Sequence, residues 1–222
     1  MPGASALTIE PVLKAAQKTK YGLPKHIPLP LSSWTLNTGV VLAAVGAGSA
    51  GNANAATNLA CIQWDDTADQ TDIIRCSIVL PPDFRTSIDG NSPKIVLYVK
   101  ARVLDGTGSA TANTNLALQA DAYWHKTGDA DLSTHSAVVS NVIGAVDYTA
   151  AQENGFALYK FDLTTNMSAA QLLSLAALDT FQMRLYPNEA VGTDLYIEVI
   201  HTFVVYDAHA SIPSDVVSTL NY

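Results

Sequence analysis

Few residues in this chain are placed to do chemistry. The five histidines are His26, His125, His135, His201 and His209, and no HExxH or HxH pattern joins any two of them. Metal ligation on a strand needs neighbours two apart on one face, or a partner on the next strand. His201 lies inside an apolar alternation and is expected to be a packed core histidine. His125 and His135 bracket a polar loop. Asp65, Asp66, Asp69 and Asp72 form an acidic turn that could hold Ca²⁺, which favours several carboxylates on one loop. The turn lacks the glycine and terminal glutamate of an EF-hand. A solvated turn is the simpler reading, and no cofactor is expected. Cys61 and Cys76 do not have the spacing of a CxxC pair and are expected to be two unlinked, at least half-buried thiols. There is no GxSxG, no SxxK and no phosphate-binding GxxxxGK[ST]. The four glutamates, Glu10, Glu153, Glu189 and Glu198, assign no facing carboxylate pair. The chain is therefore expected not to be an enzyme. Tyr123, Trp124, Tyr148 and Tyr186 adjoin loops, where a ring either stacks on a sugar or packs against a sheet.

The elements that would carry these residues are mostly strands. Ile74, Cys76, Ile78 and Leu80 alternate with Arg75, Ser77 and Val79, and Pro81-Pro82 ends the run. Lys94 to Leu104 puts Ile95, Leu97, Val99, Ala101 and Val103 on one side. Leu116 to His125, Phe156 to Leu163, Phe181 to Tyr186 and Asp194 to Tyr206 alternate in the same way. Thr35 to Ala44 and Leu59 to Trp64 complete about eight strands. Ser168 is a natural N-cap for one short helix reaching Leu175, with Leu172, Leu173 and Leu175 on its apolar side. Strands that each bury one face, with no βαβ rhythm, imply an all-β fold: an antiparallel two-sheet β-sandwich of jelly-roll type. Residues 1–33 read as an extended N-terminal arm, 34–210 as the sandwich and 211–222 as a tail. In the arm, Pro28 and Pro30 impose an extended path and exclude a central strand, while Gly22 and Pro24 are expected to stop a short preceding helix.

Composition bounds function further. The chain has 222 residues, 48% hydrophobic and 14% charged, and a net charge of −8. Charged residues usually make up about 25% of a chain, so much of this surface falls to small neutral residues. The acidic balance argues against wholesale nucleic-acid binding. No stretch approaches the ~20 apolar residues of a membrane helix, and no secretory signal is visible at the start. The charge is uneven, because Lys14, Lys18, Lys20 and Lys25 fall within the first thirty residues against Glu10 alone. A basic arm on an acidic body is suited to docking on something negative.

The order of these pieces resembles a family. An extended N-terminal segment leads to a strand ending in Ile78-Val79-Leu80-Pro81-Pro82-Asp83-Phe84. A long alternating strand follows, then Asp179-Thr180-Phe181-Gln182-Met183-Arg184-Leu185-Tyr186-Pro187 and a closing strand through Ile200 to Tyr206. This is similar to the jelly-roll virion proteins of tailed bacteriophages: capsid decoration (cement) proteins, head fibres and related modules. The resemblance implies a structural protein on the capsid surface of the virion, made in the host cytoplasm. Its partners would be the major capsid protein and neighbouring copies, often as a homo-oligomeric trimer, with neither nucleic acid nor membrane bound. The arm would then supply the contacts, through Leu7, Ile9, Val12, Leu13, Ile27, Leu29 and Leu31, with Lys14, Lys18, Lys20 and Lys25 steering onto an acidic shell. A carbohydrate- or receptor-binding fibre module is the first alternative, and a glycan hydrolase the second.

Overall fold

Period-two alternation of apolar residues builds two sheets from this chain. The computed structural model describes residues 23–36, 61–64, 68, 71–85, 93–105, 117–126, 136–142, 156–188, 191 and 195–208. Ten strands lie among them. They are β1 Leu23–Leu29, β2 Thr35–Leu36, β3 Ile62–Trp64, β4 Ile74–Val79, β5 Ile95–Asp105, β6 Ala117–His125, β7 Ser136–Val142, β8 Ala157–Asp162, β9 Thr180–Pro187 and β10 Leu195–Ala208. One α-helix, α1, covers Ala169–Ser174. Sheet A has the order β1-β10-β5-β8, with β3 also paired to β10; sheet B has the order β2-β4-β9-β6-β7. Every pairing is antiparallel.

Without β1 and β2, eight strands remain, ordered β3-β10-β5-β8 over β4-β9-β6-β7. From β3 onward the chain changes sheet at every connection except the β6–β7 hairpin. That wrapping is a jelly roll, and it agrees with the all-β sandwich expected from the alternation. The inner faces meet in one core. Ile95, Leu97, Val99, Ala101 and Val103 face Leu118, Ala120, Ala122 and Trp124, with Phe181, Met183 and Leu185 beside them. Each large side chain so buried contributes about 1.5–3 kcal/mol. A one-residue slip would expose a whole row, so the register is strongly specified.

β10 breaks its own alternation once. Val199 pairs with Ala101 and His201 with Lys100, so Ile200 is an extra residue opposite no partner. This bulge reverses which parity faces inward. Ile197 and Val199 are buried before it; Thr202, Val204, Tyr206 and Ala208 are buried after it. His201 is consequently exposed on the outer face, against the ring of Phe203 at 5.6 Å. The expectation of a core histidine is corrected: unbroken alternation would have buried His201, and one inserted residue turned it outward.

The expected arm also divides. β1 pairs residue by residue with the second half of β10, from Leu23 opposite Ala208 to Leu29 opposite Thr202. Leu29 is buried, Ile27 and Leu31 pack partly against the core, and Lys25 forms an ion pair with Asp83. These four residues are therefore part of the sandwich rather than of a free arm that begins at residue 1 and ends at 33. β1 tolerates its prolines because it lies at the sheet edge. Pro24 and Pro28 share one parity, so their missing N–H groups fall on the side away from β10. That leaves an edge poor in donors for a further strand. Leu7, Ile9, Val12, Leu13, Lys14, Lys18 and Lys20 lie outside the described residues, as does the tail 211–222.

The segment Leu80–Phe84 is the corner that ties β1 and the end of β10 to the body. The N–H of Phe84 donates to the Pro81 carbonyl at 2.8 Å, and that of Arg85 to Asp207 at 2.9 Å. Asp83 is buried and accepts from Tyr206 Oη at 2.9 Å and from Lys25 Nζ. One carboxylate thus joins β1, the corner and β10. The helix begins as expected: Ser168 caps it through Gln171, whose side chain returns the bond to the Ser168 N–H at 2.7 Å. Leu172 and Leu175 turn inward, but Leu173 is 68% exposed, because adjacent helical positions do not share a face. β7 was not expected from sequence. It pairs with β6 along Ala117–Tyr123.

Candidate functional site

Polar groups that survive burial reveal where the sheets do more than pack. Both sheets carry one arginine directly opposite one carboxylate on an outward-facing row. In sheet A the pair is Arg102 and Glu198, neighbours in the β5–β10 register. Arg102 donates from Nε and Nη2 to Glu198 Oε2 at 2.7 and 2.6 Å, and Gln63 donates to Oε1 at 3.3 Å. The guanidinium lies 4.4 Å above the Phe156 ring. Both charged side chains are buried, at 1% and 7% exposure. Such a pair holds together only when its hydrogen bonds are met, as here. Burial, and then the nearby Glu198 charge, push the Cys61 thiol up to about 11. A thiol so protonated is a poor nucleophile. Cys61 is half-buried and Cys76 buried, the Cys76 thiol likewise raised mainly by burial, and both cysteines are free.

In sheet B the corresponding pair is Arg184 and Asp121, neighbours in the β9–β6 register. Asp121 is buried and accepts from Arg184, from Tyr186 Oη at 2.9 Å and from Tyr123 Oη at 3.4 Å. Arg184 is 24% exposed and lies 4.4 Å over the Tyr123 ring. Burial first, then the hydrogen bond to Asp121, push the Tyr186 hydroxyl up to about 12. Tyr123 moves in the same direction, again chiefly through burial.

Beside this pair the outer face of sheet B is concave. A cavity of about 250 Å³ is lined by Ser77, Tyr123, Trp124, His125, Thr180 and Gln182. The strands explain the set. Ser77, Gln182 and Tyr123 form one row across β4, β9 and β6, and Val79, Thr180 and His125 form the next. Gln182 Nε2 donates to Ser77 Oγ at 3.3 Å. Trp124 also borders the cavity, but its side chain is buried in the core, and its indole N–H donates to Ser174 of the helix at 3.1 Å. Nδ1 of His125 is buried and has no hydrogen-bond partner among the described residues.

The other candidates from sequence are scattered. Of the acidic turn, Asp65, Asp66 and Asp69 lie outside the described residues; the carbonyl of Asp72 accepts from the Trp64 indole at 2.7 Å. Among the described residues no group of three His, Cys, Asp or Glu could hold a metal ion. His26 is exposed on β1, and His135, His209 and Tyr148 lie outside the described residues. Tyr123 and Tyr186 do come together, through Asp121. Arg184 and Gln182 were missed as site residues, although the alternation of the Thr180–Pro187 run already placed both on its outward side. No helix among the described residues is long and apolar enough to cross a membrane.

Comparison with known proteins follows from the fold. No protein-family model matches the chain, and no curated protein matches it significantly. Among solved structures it is similar to the VP2 subviral particle of infectious bursal disease virus, with a TM-score of 0.36 and 11% identity over 86% of this chain and 34% of that one. It is also similar to latent aurone synthase, a polyphenol oxidase, from natural source, with a TM-score of 0.34 and 12% identity over 67% of this chain and 27% of that one. The recombinantly expressed form of that enzyme matches with a TM-score of 0.31 and 13% identity, over 63% and 25%. The chain thus spans about a quarter to a third of the length of these neighbours. Two of the three are an enzyme, which overturns the expectation that this chain is not one. That expectation is withdrawn, and at these identities the likeness assigns it no reaction.

Proposed function

We propose that this chain is a structural protein of a virus particle. In this reading it is a jelly-roll subunit of the decoration or head-fibre kind, seated on a capsid shell and packed against copies of itself. The observation that carries the reading is the place of β1. The Leu80–Phe84 corner and Asp83 pin it along the edge of a jelly roll, so the residues preceding Leu23 are tethered at a sheet edge. Those residues supply Leu7, Ile9, Val12 and Leu13 for apolar contact, and Lys14, Lys18 and Lys20 for attraction to an acidic shell. On the body, Val79, Leu158 and Leu173 are each more than half exposed and offer further apolar contact to neighbours.

The test is a deletion placed by the fold. Removing 1–22 leaves β1 intact, whereas removing 1–30 would also strip the edge of sheet A. The shorter deletion is expected to abolish association with purified particles while circular dichroism and melting temperature stay unchanged. Undiminished particle occupancy would sink the reading. Native mass spectrometry of the full chain is expected to show a trimer.

A further inference from the structure

We propose that the concave end of the outer face of sheet B is a binding site for a neutral saccharide unit. The proposal does not rest on the particle reading; it rests on the chemistry of the cavity. Its lining offers two hydroxyls (Ser77 and Thr180), one carboxamide (Gln182), one imidazole (His125) and one aromatic ring (Tyr123), while the Trp124 side chain is buried in the core. No carboxylate, lysine or arginine lines it. In the adjoining row Arg184 and Asp121 are paired with each other, and Arg75 stands opposite Arg184. A cationic ligand would therefore find no counter-charge, and an anionic one none among the lining residues themselves. The wall is largely apolar, so a ligand with apolar faces fits it, and one that also carries hydroxyls would meet the few polar groups that a purely apolar ligand would leave unpaired.

A sugar matches on both counts. Its hydroxyls donate and accept, as do Ser, Thr and Gln side chains, and its C–H faces lie against aromatic surface. The Gln182–Ser77 bond, at 3.3 Å, uses one amide N–H and leaves the amide oxygen and the second N–H available. His125 adds a buried ring nitrogen that has no protein partner among the described residues, and buried polar atoms in that state call for an explanation. The lining side chains stand on three paired strands, so little order must be imposed on binding. The volume, about 250 Å³, lies below the ~300–1,000 Å³ of sites for drug-sized ligands. It fits a single ring, such as the terminal unit of a glycan, held weakly.

Saturation-transfer NMR tests this on the full chain, with the methyl glycosides of glucose, galactose, mannose and N-acetylglucosamine as probes and sialyllactose as the acidic comparison. At least one neutral glycoside is expected to bind with millimolar affinity. Gln182→Ala should weaken that binding about tenfold, while Lys160→Ala, on the outer face of sheet A, should leave it unchanged. Should Gln182→Ala fail to fold, Thr180→Ala at an exposed position supplies the same comparison. Silence from all four neutral glycosides overturns the proposal. So does a response to sialyllactose alone, or full binding in the folded cavity variants. Loss of sugar binding would leave particle association untouched, so the two readings fail separately.

Discussion

Arg102–Glu198 and Arg184–Asp121 are the same device on two sheets, an arginine set opposite a carboxylate on an outward row. Their surroundings differ. The sheet A pair is closed over, with the arginine at 1% exposure, and an amide and a phenylalanine face are among its other partners. The sheet B pair is open on the arginine side, and its carboxylate is shared with two tyrosines, one of which, Tyr123, lines a cavity. A buried pair with no solvent exit is a structural clamp. A half-open pair holds neighbouring aromatic groups in place beside a recess that a ligand can enter.

The comparison predicts unequal costs. Arg102→Ala strands Glu198 in a buried site and is expected to lower stability by about 3–5 kcal/mol, read as a fall in the urea midpoint. Replacing both partners, Arg102→Met with Glu198→Leu, should recover most of that loss, because no buried charge is then left alone. Arg184→Ala should cost less, about 1–3 kcal/mol, since Asp121 keeps its two tyrosine donors. Equal losses from the two single substitutions would break the distinction. A smaller effect follows from Tyr186, whose hydroxyl is raised from 10.0 to about 12. A folded-state value above the unfolded one means that its stabilisation is complete below about pH 10 and disappears as pH rises towards 12. Tyrosinate absorbance and unfolding should therefore rise together over that window, and Tyr186→Phe should remove part of the dependence. The smallest effect concerns Cys61. Glu198→Gln removes a charge that raises its thiol, so alkylation of Cys61 at mildly alkaline pH should quicken.

Much of the fold was legible because its signal is local. Alternation in Ile74–Leu80, Ile95–Val103 and Leu118–Trp124 identified the inner rows, and the same residues form the core. Ser168 announced the helix start through its own side-chain chemistry. β7 was not legible, because Ser-Ala-Val-Val-Ser-Asn-Val gives no clean period of two. The sheet B site was only half visible. Tyr123 and Tyr186 could be noticed as aromatics near loops, but nothing local says that Asp121 joins them across the β6–β9 pairing.

The chain by itself therefore determined the two-sheet all-β class, the inward parity of most strands and the extended path of the proline-bearing segment that became β1. These follow from side-chain period and backbone geometry, which act over a few residues. Tertiary structure decided the face on which His201 lies, the capture of β1 by Asp83, and the meeting of Ser77, Gln182 and Tyr123 in one row. Each of these depends on register between strands remote in sequence, and register is set by the packing of the whole sandwich rather than by any one segment.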